Sequence, residues 1–313
     1  DCVVTSDKNY LDDIRKFDAV VFSGSDDWSA EKIFPQVRSS DQYYVFADLE
    51  SPYYTNHKFS RNIRNEIYNL TMTYRRDSDI YWPYGFITAQ NINFVTELEV
   101  PIWMDPDFRN NDRVLEVIKN KKKTAAWFVS KCLVASKRQF LVAVLRQQID
   151  VDIYGICGAF SCSKDTMNDC YRLVERNYFF YLSLENSICK DYLTEKIFNL
   201  MKYYVVPVVY GGANYSQFLP PHSYIDANDF QNVTELANYL KYLTNNLDEY
   251  AKYFWWKKYY KNVSTLMSFN NLCKKLHKYT SKIKGEKFIR SYRNISSWWN
   301  DHQCMTEANI KFV

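Results

Sequence analysis

Glycine and proline are scarce, seven and eight among 313 residues, and no low-complexity tract interrupts the chain. With aromatics at 18% and 27 tyrosines, intrinsic disorder is excluded and ample core-forming capacity is implied. No signal peptide and no run of eighteen apolar residues is present, so no segment reads as a transmembrane helix. Because the chain starts at Asp1 without Met, we read it as the luminal part of a longer, membrane-anchored protein. A strong charge imbalance is also lacking. Forty basic residues face 36 acidic ones, a net charge of +4 that is too small to imply polyanion binding. Lys and Arg gather between Lys252 and Arg293, which reads as a solvated helical face, with membrane-surface proximity the weaker functional reading. No basic groove with stacking motifs accompanies the run, so nucleic acid is not an expected partner.

Paired CxxC spacing is absent from Cys157, Cys162, Cys170 and Cys189, and no His lies near them, which disfavours zinc and favours disulfides. The pairing order stays open. Eight cysteines together with five glycosylation sequons, at Asn69, Asn214, Asn232, Asn262 and Asn294, point to the secretory pathway.

The length predicts two domains. Phe17 to Gly24 and Tyr43 to Pro52 are apolar runs closing on Gly or Pro and read as buried parallel strands of a first α/β unit. A polar stretch from Phe108 to Lys123 suits a boundary. Beyond it strands and helices alternate: Thr124 to Ser130, a helix from about Ser136 to Gln148, VDIYG, a helix near Asp165 to Arg176, YFFYLSL, a helix from Thr194, VVPVVYG, SYIDA and the helical TELANYLKYL. That alternation predicts a doubly wound parallel sheet with ligands outside the strand carboxyl ends. Residues after about Trp255 are aromatic, basic and poorly periodic, and are expected to cross back onto the first domain.

Several residues at such strand ends can carry chemistry. Ser136 and Gln139 fit a capping box that would set Arg138 in the first helical turn, where its guanidinium can hold two phosphate oxygens; an exposed helix Arg is the plainer alternative. In the turn from YLSLENS to YLTEK, Lys196 can neutralise a diphosphate and Glu195 can accept ribose hydroxyls, although Thr-Glu-Lys is also a common helix opening. Glu50, after the strand YYVFADL, is placed to take a proton from a hydroxyl, with Asp48 its nearest rival and simple solvation the plain reading. Asp77 and Asp79 form a D-x-D that elsewhere holds a divalent metal. Here an internal salt bridge of Asp77 with Arg75 or Arg76 is the favoured role.

The segments FADLESP, NLTMTYRRDSDIYWPYGF, AAWFVSKC, VDIYG and FYLSLENSICKDYLTEKIFN followed by VVPVVYG resemble the α1,3-fucosyltransferases of glycosyltransferase family 10, over about Tyr43 to Phe254. Cys132, Cys157, Cys162, Cys170 and Cys189 look like the branch that fucosylates the N-glycan chitobiose core. The resemblance implies an α/β fold of the GT-B type, with two Rossmann-like domains facing a central cleft. Residues 1–115 would form the acceptor-side domain, 116–265 the GDP-fucose-binding domain, and 266–313 a tail packing back on the first. It implies inversion, with Glu50 as general base toward a GlcNAc O3, Arg138 and Lys196 on the departing diphosphate and Glu195 on the ribose. Ser130, Tyr181, Asn186 and Tyr192 look like further donor contacts, and Tyr84 borders the fucose. Such chemistry needs fixed cations more than a metal, so no metal site or tightly bound cofactor is expected and a divalent ion would at most stimulate.

The implied protein is the catalytic part of a type II membrane protein of the Golgi lumen, with an N-glycan or glycoprotein acceptor and the innermost GlcNAc favoured. Acceptor choice is expected in loops such as Tyr53 to Arg64. Two departures from the family pattern stand out: Leu184 replaces the Phe of FENS, and Asn270 and Cys273 replace a carboxyl-terminal CxxC, leaving Cys2 and Cys304 as candidate partners. The competing readings are Lewis-type or distal-core fucosylation, a glycan-binding protein without turnover, and a metal-dependent transferase built on Asp77 and Asp79.

Overall fold

The computed structural model describes residues 2–25, 35, 37–55, 66–92, 102–109, 112–163, 166–263, 268–282 and 291–313. The first part of the chain forms β1 (Ala19–Ser23), β2 (Tyr43–Asp48), β3 (Leu70–Thr73), β4 (Ile80–Tyr81) and β5 (Phe86–Ala89). Then come α1 (Asp112–Ile118), β6 (Lys123–Phe128), α2 (Arg138–Leu145), β7 (Val151–Tyr154), α3 (Met167–Asn177), β8 (Tyr178–Leu184), β9 (Ile188–Cys189), α4 (Glu195–Leu200), β10 (Val206–Tyr210) and β11 (Ile225–Asp226). The chain continues through α5 (Val233–Asn245), α6 (Leu247–Ala251), β12 (Tyr260–Val263), α7 (Ser268–Lys282) and α8 (Ile295–Asn300). Two compact units result. One comprises Asp1–Pro83, Thr96–Leu98 and Thr265–Cys304, the other Tyr84–Val95, Glu99–Ser264 and Met305–Val313.

In the first unit β1, β2, β3 and β4 pair in that order, all parallel. Every residue of β2 is buried, as expected of a strand covered on both faces. Val45, Met72 and Leu272 sit in one apolar cluster, so α7 covers this sheet. Trp299 of α8 is wholly buried, its ring edge-on to Phe46 and Tyr74, and its indole N–H donates to Thr55 Oγ1 at 3.0 Å. The segment beyond Trp255 therefore holds two helices that weak periodicity hides. Cys273 of α7 is bridged to Cys2.

The second unit carries a parallel five-stranded sheet in the order β11, β10, β8, β6, β7. β8 is its centre and is buried at all seven positions. In α5, Asn232 Oδ1 accepts the Glu235 N–H at 2.9 Å to open the helix, and Val233, Leu236, Ala237, Leu240 and Leu243 form its buried stripe. Each such leucine contributes roughly 1.5–3 kcal/mol by leaving water. β12 pairs antiparallel with β5. The bridge Cys132–Cys157 ties the loops beyond β6 and β7, Cys162–Cys170 ties the loop beyond β7 to α3, and Cys189 and Cys304 are also disulfide-bonded.

The predicted helix from Ser136 to Gln148 is shorter at both ends, running from Arg138 to Leu145. The expected helix near Asp165 begins at Met167, with 164 and 165 outside the described residues. Of the loop expected to select the acceptor, 56–64 also lies outside them.

Adjacent residues of α2 test the packing: Leu141 is fully buried, whereas Phe140 is 52% exposed. Leu141→Ala is expected to lower unfolding free energy by about 2–5 kcal/mol, and Phe140→Ala to change it by no more than about 0.5 kcal/mol, in chemical denaturation. Equal losses would contradict the orientation of this helix.

Candidate active site

The carboxyl end of β8 runs directly into Glu185, whose N–H donates to Tyr210 O at 2.9 Å on the neighbouring strand. The side chain is 1% exposed. Its Oε1 accepts both the Thr194 N–H at 3.0 Å and the Thr194 hydroxyl at 2.9 Å, and its Oε2 accepts Lys196 Nζ at 2.8 Å. Lys196 also donates to Thr194 Oγ1 at 2.7 Å. Burial alone would lower the Lys196 ammonium, but Glu185 and then Glu195 outweigh it and hold the group above its usual value. Lys196 is therefore a charged, fixed cation at the strand end. Glu195 points outward, half exposed, with its carboxylate 3.7 Å from the ammonium.

Glycine lets this cluster close. A Cβ on Gly211, just after β10, would lie 2.8 Å from the Tyr215 hydroxyl and 3.3 Å from Glu185 Cγ, and one on Gly212 would meet the Cys189 backbone at 2.7 Å.

Arg138 is buried at the start of α2, where its guanidinium donates to Leu184 O and, at 3.4 Å, to Lys131 O. It stands close enough to Lys196 for its charge to oppose the lysine's. The capping box expected beside it does not form. Lys137 occupies the cap position at φ 58° without a side-chain cap, and the ENS turn takes both donors of Ser136. The Ser136 N–H donates to Asn186 O at 3.0 Å and its hydroxyl to Glu185 O at 2.7 Å. A tertiary contact has displaced the local cap.

The remaining expected donor contacts divide by exposure. Ser130 is exposed just beyond β6, while Asn186 is buried and accepts the Ser187 hydroxyl. Tyr192 is buried with its ring edge toward half-buried Tyr84 at 6.5 Å. Tyr181, 2% exposed, packs among Phe128 and Tyr171, and desolvation holds its hydroxyl protonated well above the usual value. Its ring is enclosed within the second sheet's core. From sequence Glu185 stands out only as part of the turn after this strand and Thr194 only as a helix cap; their hold on Lys196 is not expected there. The available signal was an acid immediately after a seven-residue buried strand, with Thr-x-Lys nine residues on.

In the other unit Glu50 is half-buried just past the end of β2. Its N–H donates to Asp48 Oδ1 at 2.8 Å, and Asp48 also accepts the Ser25 hydroxyl at 2.8 Å and the Thr55 hydroxyl at 3.2 Å. Asp48 thus pins the turn that carries Glu50. Asp77 pairs with buried Arg75 at 2.6 Å. Asp79 accepts the Thr71 N–H at 3.0 Å, the Tyr292 hydroxyl at 2.8 Å and Lys275 Nζ at 3.3 Å. Both carboxylates of the D-x-D are occupied by internal contacts. Among the sequons, Asn214 and Asn294 are exposed and Asn232 and Asn262 half-buried. Asn69 is enclosed in the sheet, accepting the Tyr44 N–H at 2.8 Å.

Residues 118–298 match the family described as glycosyltransferase family 10 (fucosyltransferase) C-term, and residues 1–85 match fucosyltransferase, N-terminal. The chain is similar to alpha-(1,3)-fucosyltransferase C of Drosophila melanogaster, 40% identical over 99% of this chain and 71% of that protein. It is also similar to glycoprotein 3-alpha-L-fucosyltransferase A of the same organism, 34% identical over 83% of this chain and 48% of the relative. A crystal structure of an alpha1,3-fucosyltransferase with GDP superposes with a TM-score of 0.52 at 15% identity, covering 87% of this chain and 79% of that one. The two parallel-sheet units thus have the GT-B fold.

Burial is the main cause raising the Asp48 carboxyl from 3.8 to about 6, offset in part by its hydrogen bonds. The folded state therefore holds this proton more tightly than the unfolded chain, and the resulting stability is present below pH 3.8 and lost as pH rises through about 6. Measured against Asp48→Asn, wild-type unfolding free energy should fall by on the order of 2 kcal/mol between pH 4 and 7. Parallel pH profiles for the two proteins would contradict the assigned titration.

Proposed function

The chain belongs to glycosyltransferase family 10 and is an α1,3-fucosyltransferase drawing on GDP-fucose; we propose that its acceptor is the O3 hydroxyl of a GlcNAc in the N-glycan chitobiose core, the innermost GlcNAc favoured. The observation that carries the donor half is the fixed cation pair at the end of β8: Lys196 held by Glu185, with Arg138 anchored on Leu184 O. The acceptor half is supported by the cysteine set, which forms the bridges Cys132–Cys157 and Cys162–Cys170 and includes disulfide-bonded Cys189.

In the proposed reaction Glu50 takes the O3 proton as O3 bonds to fucose C1. The bond from C1 to the β-phosphate oxygen breaks on the opposite face, its electron pair leaves with GDP, and β-linked fucose becomes α-linked. Lys196 and Arg138 meet the charge that develops on the leaving diphosphate, and being already oriented they need no rearrangement to do so. Glu195, exposed beside them, receives the ribose hydroxyls. Ser130, Asn186, Tyr192 and Tyr84 complete the donor contacts, with Tyr181 supporting them from below. The hydrogen bond from the Glu50 N–H to Asp48 keeps the base on a fixed turn.

The disulfides suit an oxidising compartment. We place the domain's work in the Golgi lumen; among the described residues no helix is long and apolar enough to cross a membrane.

Incubation with GDP-fucose and a defined core glycopeptide should release GDP and yield an α1,3-fucose on the innermost GlcNAc, located by mass spectrometry. Fucose found on an antennal GlcNAc would replace the core assignment, and no GDP release would favour a glycan-binding role. Glu50→Gln should lower kcat by about 10²–10⁴-fold while GDP affinity stays unchanged, and unaltered turnover would remove Glu50 from the reaction.

A further inference from the structure

The ammonium of Lys196 has three N–H bonds to give, and the structure accounts for two: one to Glu185 Oε2 and one to Thr194 Oγ1, at 2.8 and 2.7 Å. Glu195 at 3.7 Å is an ion-pair neighbour beyond hydrogen-bond length, so the third N–H has no acceptor among the described residues. Two fixed bonds on a tetrahedral nitrogen dictate the direction of the third. A lysine in water rotates freely about its last carbon–nitrogen bond; this one is held at the ring formed by one carboxylate and one hydroxyl.

Glu185 works against simple attraction. Glu185 and Glu195 carry two negative charges, Lys196 and Arg138 two positive ones, so the cluster offers an incoming diphosphate no net cation. If affinity alone mattered, a neutral residue at 185 would serve better. What an acid at 185 supplies is a charge-assisted bond that keeps Lys196 protonated and aimed despite its burial. We propose that Glu185 is a positioning residue for fucosyl transfer: through its bonds to Thr194 and Lys196 it directs the free N–H of Lys196 at the oxygen that leaves with GDP. This rests on the donor-site reading given above. It makes Glu185 a residue that favours turnover at the expense of ground-state donor affinity, because the bond it directs strengthens as charge builds on the leaving group.

The test is a double-mutant cycle with Glu185→Gln and Lys196→Ala, read as kcat with GDP-fucose and as GDP affinity by calorimetry. Glu185→Gln alone should lower kcat roughly tenfold or more while GDP binds as well as to wild type or more tightly, since a negative charge has been removed. In the Lys196→Ala background the same change should cost less than about threefold, because the group it acts through is gone. A purely structural role predicts equal losses in both backgrounds and weaker GDP binding, and either result overturns the proposal. If Glu185→Gln fails to fold, Thr194→Val removes the shared hydroxyl instead; kcat should fall with GDP affinity kept, and Thr194→Ser should restore it. Failure of the serine variant to restore turnover would likewise refute the role. A wild type without GDP-fucose turnover overturns the functional reading and this inference together, whereas an active wild type with additive variants overturns this inference alone.

Discussion

A carboxylate buried at the end of a strand cannot be left alone, and that constraint organises the donor side of this protein. Removing a charge from water costs several kcal/mol unless partners replace the lost solvation. Glu185 meets that demand with the Thr194 N–H, the Thr194 hydroxyl and the Lys196 ammonium. The rest follows from geometry. Thr194 is drawn out of its capping role, Lys196 is fixed in place, and Gly211 must lack a side chain where β10 passes the cluster. Arg138 then fastens to the carbonyl just before Glu185, so both cations refer their positions to the same strand end.

The first unit repeats the arrangement with different residues. Asp48 closes β2 as Glu185 follows β8, is nearly as deeply buried, and also takes a threonine hydroxyl, that of Thr55. The neighbour it immobilises is Glu50, through the Glu50 N–H. Trp299 reinforces the turn from behind by donating to the same Thr55 oxygen. In each unit a buried acid at the carboxyl end of a parallel strand holds a working residue: a candidate base in one, a cation in the other. Parallel sheets favour this because all their carboxyl ends emerge on one edge.

How much could be read beforehand depended on what each residue answers to. The second sheet was legible because β6, β8 and β10 are apolar runs with helices between them, a signal contained in the local sequence. β3 was not, since the threonines of LTMT look solvent-facing; Thr71 and Thr73 are in fact fully buried, with hydroxyls satisfied by Asp79 and Ser78. The Ser136 capping box failed for a similar reason, its hydroxyl being claimed by Glu185 O, which is distant in sequence. Arg138, Glu195 and Lys196 stood out by residue type at helix starts. Glu185 was visible as part of the turn after β8, but its hold on Lys196 was not, because that depends on its being buried, and burial of an acid is the last thing that composition suggests.

The most direct measurement is a structure of the protein with GDP bound. The account predicts Lys196 Nζ within hydrogen-bond length of an oxygen of the terminal phosphate while its bonds to Glu185 and Thr194 persist. A lysine swung away from Glu185 to reach the nucleotide, or a diphosphate seated beyond reach of both Lys196 and Arg138, would contradict it.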